Sequence, residues 1–330
     1  MKEYLIRRLI FMFILIFAIS IISFIIINLP PGDYLTTYVS NLEQQGVHVS
    51  QQMVERLRQR YGLGHPMHIR YFIWMRGIFR GDFGQSFYYE RPVMEILMER
   101  IPLTVMLSMA TLIFEMLVAI PIGIYSAVRK YSISDYFATI FGFVGLATPN
   151  FLLALVLMFS FYHWFGVSIG GLFSPEFQDA PWTLARFWDM FKHMWVPMIV
   201  IGTAGTAGTI RVLRAMMLDE LGKDYVKLAR SKGMSEWQVI IKHPVRIALN
   251  PIISTIGWLL PAIISGEAIV SIVLNLPTTG PVLINSLQTQ DMYLAGSFIL
   301  ILSTLTIIGT LISDILLAVA DPRVRYEENN

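Results

Sequence analysis

The chain has 330 residues, 55% of them hydrophobic and 15% charged, with a formal charge of +2. Soluble domains carry roughly 25% charged residues, because a surface that grows with chain size needs polar cover. A soluble globule is therefore excluded, and so small a net charge gives no ground for a nucleic-acid partner. The lack of cysteine excludes disulfides, thiolate catalysis, iron–sulfur ligation and cysteine zinc sites.

What remains is an all-α integral membrane protein, stabilised by packing and by the lipid bilayer. A transmembrane helix needs about 20 mostly apolar residues at 1.5 Å rise each. Residues 9–29 form an uncharged run of that length behind Lys2, Arg7 and Arg8. The run is too long for a signal-peptide core, and no small-residue cleavage pattern follows before Pro30-Pro31-Gly32, so it reads as a retained helix. Residues 30–100 are an outer segment with helices of their own. One opens at Ser50-Gln51-Gln52-Met53 and ends before Tyr61. The other, residues 67–79, lines up Tyr71, Trp74 and Met75 as a stripe for the membrane interface or for the ends of the spans. His65 and His68 in this segment read as an incidental surface pair.

The second span covers residues 101–128 and contains Glu115. The third covers residues 136–175, as one span plus an outer turn near Gly170-Gly171. Phe187, Met190, Phe191, Met194 and Trp195 then mark a helix lying in the membrane plane. The fourth span, residues 194–210, continues towards Met217. The fifth, residues 247–266, reaches Leu274 past Glu267, and the sixth covers residues 292–313. Pro102, Pro121, Pro149, Pro251 and Pro261 are expected to interrupt these helices. No internal repeat is present. The implied domain organisation is 1–100 (first helix and outer segment), 101–320 (transmembrane domain) and 321–330 (tail).

Basic residues in short loops orient such a chain. Fifteen fall on one side: Lys2, Arg7, Arg8, Arg129, Lys130, eight between Arg211 and Arg246, Arg323 and Arg325. The opposite short loops, 166–193 and 275–291, hold Arg186 and Lys192. Both termini are thus expected on the cytoplasmic side.

Enzyme signatures are lacking: there is no H-E-x-x-H, no G-x-S-x-G and no acidic cluster with metal spacing. Glu115 and Glu267 are the acids within the spans. They read as hydrogen-bonded packing or cavity polarity, or, in a self-contained channel or proton-coupled carrier, as a coupling site. Gly202, Gly205 and Gly208 place small residues at helical spacing, which suits either a close helix crossing or a cavity wall.

The loop from Arg211 to Arg246 is far longer than the 2–8 residues a connector between helices needs. Residues 224–233 read as a short helix with Tyr225, Leu228 and Ala229 on one face, stopped by Gly233 in a left-handed turn. Ser235-Glu236-Trp237-Gln238 reads as a capping box opening a second helix, with Trp237, Ile240 and Ile241 as its apolar face. His243-Pro244 closes the unit. A stiff helix–turn–helix held out from the membrane implies a protein partner.

Tyr225, Ala229-Arg230-Ser231-Lys232-Gly233, His243, Arg246, Asn250 and Pro251 resemble the cytoplasmic coupling loop of ABC-importer permeases. Within these the chain is similar to the "B"-type subunit of the oligopeptide/dipeptide/nickel family. The family's order is followed elsewhere by Pro31-Gly32-Asp33, Tyr61-Gly62-Leu63, Gly81-Asp82-Phe83-Gly84-Gln85-Ser86 before Pro92-Val93, and Arg100-Ile101-Pro102-Leu103-Thr104. Ala147-Thr148-Pro149-Asn150-Phe151 and Asp321-Pro322-Arg323-Val324-Arg325-Tyr326 follow in turn. Ser265-Gly266, Ser271 and Pro277-Thr278-Thr279-Gly280 stand where the family favours a Gly-Gly run, a glutamate and Pro-Gly-Leu-Gly.

The resemblance implies a type I ABC-importer permease fold of six transmembrane helices in a prokaryotic inner membrane. Residues 219–247, with Tyr225, Leu228, Ala229, Gly233, Ser235, Trp237 and Ile241, would be the loop that docks on an ATPase. Glu115, Pro149, Asn150, Gly205, Gly208 and Glu267 would lie near the translocation path. The chain lacks G-x-x-x-x-G-K-[ST], so it carries no cofactor of its own, and ATP and Mg would be bound by partner subunits. The implied partners are a second homologous permease, two ATP-binding subunits and an extracytoplasmic solute-binding protein. The implied cargo is peptide, with oligosaccharides or a nickel chelate as alternatives in the same machinery.

Overall fold

A computed structural model describes residues 2–29, 35, 36, 39, 43, 44, 51–60 and 64–320. The motifs at Pro31-Gly32-Asp33, Tyr61-Gly62-Leu63 and 321–326 lie outside the described residues. Among the described residues the regular structure is helical, apart from an isolated bridge between Gln85 and Pro92. In chain order the helices are α1 (Lys2–Ile27), α2 (Gln51–Arg60), α3 (Met67–Ile78), α4 (Val93–Val128), α5 (Ile133–Ala147), α6 (Asn150–Phe165) and α7 (Leu184–His193). They continue with α8 (Trp195–Leu221), α9 (Asp224–Ser231), α10 (Glu236–Ile240), α11 (Asn250–Val273), α12 (Thr279–Gln288) and α13 (Met292–Ala320).

Among the described residues four helices are long and apolar enough to cross a membrane: Arg8–Ile27, Val93–Val128, Trp195–Leu221 and Met292–Ile315. The count is five if α5 and α6 act as one broken span. The fifth expected span falls on α11, where the side chains at 255, 257–262 and 264–267, Glu267 included, lie outside the described residues. The stretch expected as one span over 136–175 is built of two helices bent by 102°. Thr148 and Pro149 cause the break. A proline disfavours the helical region for the residue before it, and both residues are extended, with ψ of 119° and 132°. Among the others, α4 runs unbroken through Pro102 and Pro121 and α11 through Pro261, while Pro251 stands in the first turn of α11, just after the Arg246–Ala248 helix ends at Leu249. Within a packed apolar bundle neighbouring helices can hold such a helix on course.

The chain divides into two compact units, Met1–Thr104 with Thr278–Ile307, and Val105–Pro277 with Ile308–Asn330. In the first, the Tyr71–Trp74 stripe of α3 takes the span ends. Trp74 is buried and stacks on Phe24 of α1 with ring centroids 5.6 Å apart. The Tyr71 hydroxyl meets Ser20 at 2.8 Å, and Arg70 donates to Asn28 at 2.8 Å. A side chain on Gly296 of α13 would meet the Trp74 ring at 3.1 Å, so the indole fits there because that position has none.

The Gly81–Ser86 motif is a turn folded onto the start of α13. Asp82 accepts from the Gly84 amide at 2.9 Å, and the chain doubles back so that Val93 donates to the Gly84 carbonyl at 3.0 Å. Fully buried Asp291 holds the result. One carboxylate oxygen accepts from the Ser86 hydroxyl (2.6 Å) and from the Phe87 (2.8 Å) and Tyr88 (3.2 Å) amides. The other accepts from the Leu294 amide at 3.3 Å, capping α13.

In the second unit α8 is the spine. Gly123 of α4 approaches Leu213, and Gly145 of α5 approaches Thr203 and Ala207. The outer turn at Gly170-Gly171 forms as expected, with the Gly171 amide donating to Leu274 O at 2.7 Å. Helix α7 is opened by Thr183, whose hydroxyl accepts from the Arg186 amide at 3.2 Å. It turns Met190 and Met194 inward and Phe187, Trp188 and Phe191 outward.

Replacing Asp291 by alanine removes a helix cap and the acceptor of three further donors, and should cost about 3 kcal/mol. The thermal unfolding midpoint of the detergent-solubilised chain is expected to fall by several degrees, with Asp291→Asn intermediate. An unchanged midpoint would show that the hub is not a stability element.

Candidate functional site

The loop after α8 folds as the expected helix–turn–helix, and its construction is local. Gly233 has φ of +76°, a conformation that side chains rarely adopt, and it stops α9 with its amide on Arg230 O at 2.9 Å. Arg230 then reaches across the turn to Glu236 with a two-pronged pair at 2.9 and 3.2 Å. Val226, Ala229 and Val239 form the interior, flanked by Tyr225 and Met234. After α10 the helix widens into a π turn over Ile241–Val245 containing Pro244, then resumes at Arg246–Ala248.

Three sequence expectations are corrected here. Tyr225, Leu228 and Ala229 do not share a face: Ala229 is buried, Leu228 is exposed and Tyr225 turns back towards the bundle. The Tyr225 hydroxyl donates to Glu220 at the end of α8 and its ring abuts His243. Burial, with Glu220 beside it, pushes the phenol up to about 12, so it remains a donor. In the second helix Ile240 is buried while Trp237 and Ile241 face outwards at 69% and 45% exposure. Ser235 occupies the N-cap position, but its hydroxyl makes no capping bond. Each helix is too short to show a full period, so tertiary packing decides its inward face. The result is a compact hairpin whose surface presents Leu228, Trp237 and Ile241.

The residues expected near the path are not gathered in one place. Glu115 is buried on α4 and accepts from the Thr209 hydroxyl of α8 at 2.8 Å. It lies over Gly205, where a β-carbon would stand 2.7 Å from the carboxyl carbon. Gly202 faces Thr111 and Phe114 on the same helix, whereas Gly208 has open space around it. The glycine stripe is therefore a helix crossing at Gly202 and Gly205. Pro149 and Asn150 form the α5–α6 break. A groove of about 1060 Å³ opens between α4, α5 and α8, lined by Phe114, Pro121, Phe141 and Thr206, with Trp237 and Ile240 of the hairpin at its wall.

The sequence reading missed a buried ionic cluster. Asp135, in the first turn of α5, receives Arg214 of α8 through two nitrogens at 2.7 and 2.8 Å. It also accepts from the Ser126 hydroxyl of α4 and from the Tyr131 amide at 2.8 Å. The partners are 79 residues apart in sequence, and no local spacing announces them. The remaining signal was an acid at a helix start and an arginine well inside a helix. Among the described residues no group of acids and histidines could hold a metal ion.

Helices able to cross a membrane, joined by an extramembrane hairpin with an apolar surface, define a multi-pass membrane protein built to engage another protein. The chain belongs to the family described as "Binding-protein-dependent transport system inner membrane component", which it matches over residues 119–326. Its N-terminal part matches the family's "membrane comp, N-term" over residues 1–108. It is thus an inner-membrane permease component of an ABC transporter and not itself an enzyme. It is similar to the oligopeptide transport system permease protein AppB of Bacillus subtilis, 34% identical over 330 residues, covering 99% of this chain and 100% of that protein. It is also similar to the dipeptide transport system permease protein DppB of Escherichia coli, 30% identical over 344 residues (99% and 100%). The oligopeptide transport system permease protein OppB of Haemophilus influenzae is 27% identical over 329 residues (99% and 100%).

Gly205→Ala should destabilise the chain by about 1–3 kcal/mol by displacing Glu115, while Gly208→Ala should be close to neutral. Combined with Glu115→Ala, the Gly205 change should cost less than the sum of the two, because the obstructing carboxylate is gone. A double-mutant cycle on unfolding in detergent reads this directly; strict additivity would refute the contact.

Proposed function

We propose that the chain is one of two homologous permease subunits of an ATP-driven importer of di- and oligopeptides. It crosses the inner membrane six times with both termini in the cytoplasm, α11 and the α5–α6 pair each counting once. Its hairpin docks on one of two ATP-binding subunits, and a solute-binding protein delivers cargo at the opposite face. ATP and Mg sit on the ATPases. The peptide cargo is supported by the relatives named above, which are permeases of oligopeptide and dipeptide transport systems matched along nearly their full length.

The observation that carries the docking role is the hairpin's division into an inside and an outside. Its interior is closed by Val226, Ala229 and Val239, so Ala229 sets the packing of the two helices. Leu228, Trp237 and Ile241 remain outside as large apolar side chains. A central aromatic anchor with aliphatic neighbours is the composition that supplies binding energy at protein interfaces. When nucleotide binding draws the ATPases together, the docked hairpins are displaced and the spans change between inward-open and outward-open states. ATP drives that change only by its differential affinity for the two states.

Gly233→Val forces a β-branched residue into a left-handed turn, costing more than the ~1–2 kcal/mol of an ordinary side chain there. In the assembled transporter reconstituted in liposomes, ATP-driven peptide uptake is expected to fall at least tenfold with membrane insertion unchanged. Trp237→Ala should weaken recovery of the ATPase subunits with the permease. Normal uptake and normal ATPase recovery in both variants would refute the docking role.

A further inference from the structure

The hairpin hangs from the end of α8, and a push on it moves α4 and α5 only if something transmits the load without slipping. An apolar cluster provides part of the linkage: Ala127 of α4, Leu213 and Met217 of α8, Ile240, Val245 and Ala248 at the hairpin's exit, and Ile252 of α11. Among the described residues α5 lies outside that cluster and packs on α8 further along, with Gly145 at Thr203 and Ala207. Its cytoplasmic end, on the proposed orientation, is held to α8 by Asp135 and Arg214. We propose that this pair is the positioning element that makes α4, α5 and α8 move as one body when the hairpin is displaced, and so sets how much solute moves per ATP hydrolysed. The proposal rests on the docking reading above.

Three features support it. First, Asp135 joins three helices at one carboxylate: Ser126 from α4, its own α5 and Arg214 from α8, with the Tyr131 amide closing the α4–α5 turn onto it. Second, the geometry admits one register. Apolar surfaces can slide by a side chain's width, whereas a guanidinium gripping both carboxylate oxygens at 2.7 and 2.8 Å is specific in direction and position. Buried polar pairs are best attested as devices that fix register. Third, the position suits the task. Arg214 lies seven residues before the end of α8 at Leu221, ~10 Å along the axis. Asp135 is 3% exposed and Arg214 26% exposed, so water does not easily replace either partner.

The test uses the complete transporter, with both permeases, ATPases and binding protein, in proteoliposomes, and reads peptide imported per ATP hydrolysed. Asp135→Asn keeps the shape but loses the ion pair. It is expected to assemble and hydrolyse ATP while import per ATP falls about tenfold. The double change Asp135→Asn/Arg214→Gln leaves no unpaired charge, so a purely structural role would be relieved by it. On the proposal the double variant also assembles and hydrolyses ATP, while import per ATP stays low. A neutral pair that imports per ATP as the unaltered protein does would overturn the tie. Loss of yield, hydrolysis and import in equal proportion would overturn it too, by reducing Asp135 to a folding residue. An unaltered complex with no ATP-dependent import would refute the docking reading itself, and the tie with it.

Discussion

Helix α8 can serve as a spine because it has little side chain where its neighbours cross it. In lipid there is no hydrophobic gain from burying one apolar helix face against another, so association relies on close van der Waals approach and a few polar contacts. Gly202 and Gly205 let α4 lie near the α8 backbone, and Gly145 of α5 returns the favour at Thr203. Glu115 fills the space over Gly205 and is answered by Thr209. The hairpin, the groove and the ionic cluster are all fixed relative to α8, and would lose their mutual geometry if those crossings loosened.

Four of the expected spans were legible because they are long and because apolarity over about 20 residues has one physical meaning. The hairpin was legible for a different reason: Gly233 punctuates it and its length exceeds what a connector needs. What sequence could not supply was direction. Over eight residues of α9 and five of α10, an apolar residue fits either an inward or an outward place, and Ala229 and Leu228, expected on one face, part to opposite sides. Proline was an equally ambiguous sign. Five prolines promised five interruptions, but only at Pro149 does the residue before it leave the helical region. Long-range polar pairs were invisible for a third reason: Asp135 with Arg214, and Asp291 with Ser86, are brought together by the fold and by nothing local.

The hairpin gains its stiffness from the same economy. Helices this short do not persist alone in water, so its shape depends on Val226 and Val239 meeting across the turn, on Arg230 gripping Glu236, and on Tyr225 fastening the base to Glu220 and His243. None of these restraints uses Leu228, Trp237 or Ile241. Structure and contact are thus assigned to different residues, which lets the outer surface be shaped for a partner without unfolding the element that presents it.

The placement of charge follows a single rule. An ion at the centre of a bilayer is costly, while at a helix end it finds free backbone donors and the favourable end of the helix dipole. Asp135 opens α5, Asp291 opens α13, and each draws in backbone amides from a neighbouring turn as well as side-chain donors. Such sites are strong because each carboxylate accepts four hydrogen bonds, and specific because the donors come from elements far apart in sequence. Where an acid lies inside a span, as Glu115 does on α4, it is buried and takes a side-chain hydroxyl instead, from Thr209.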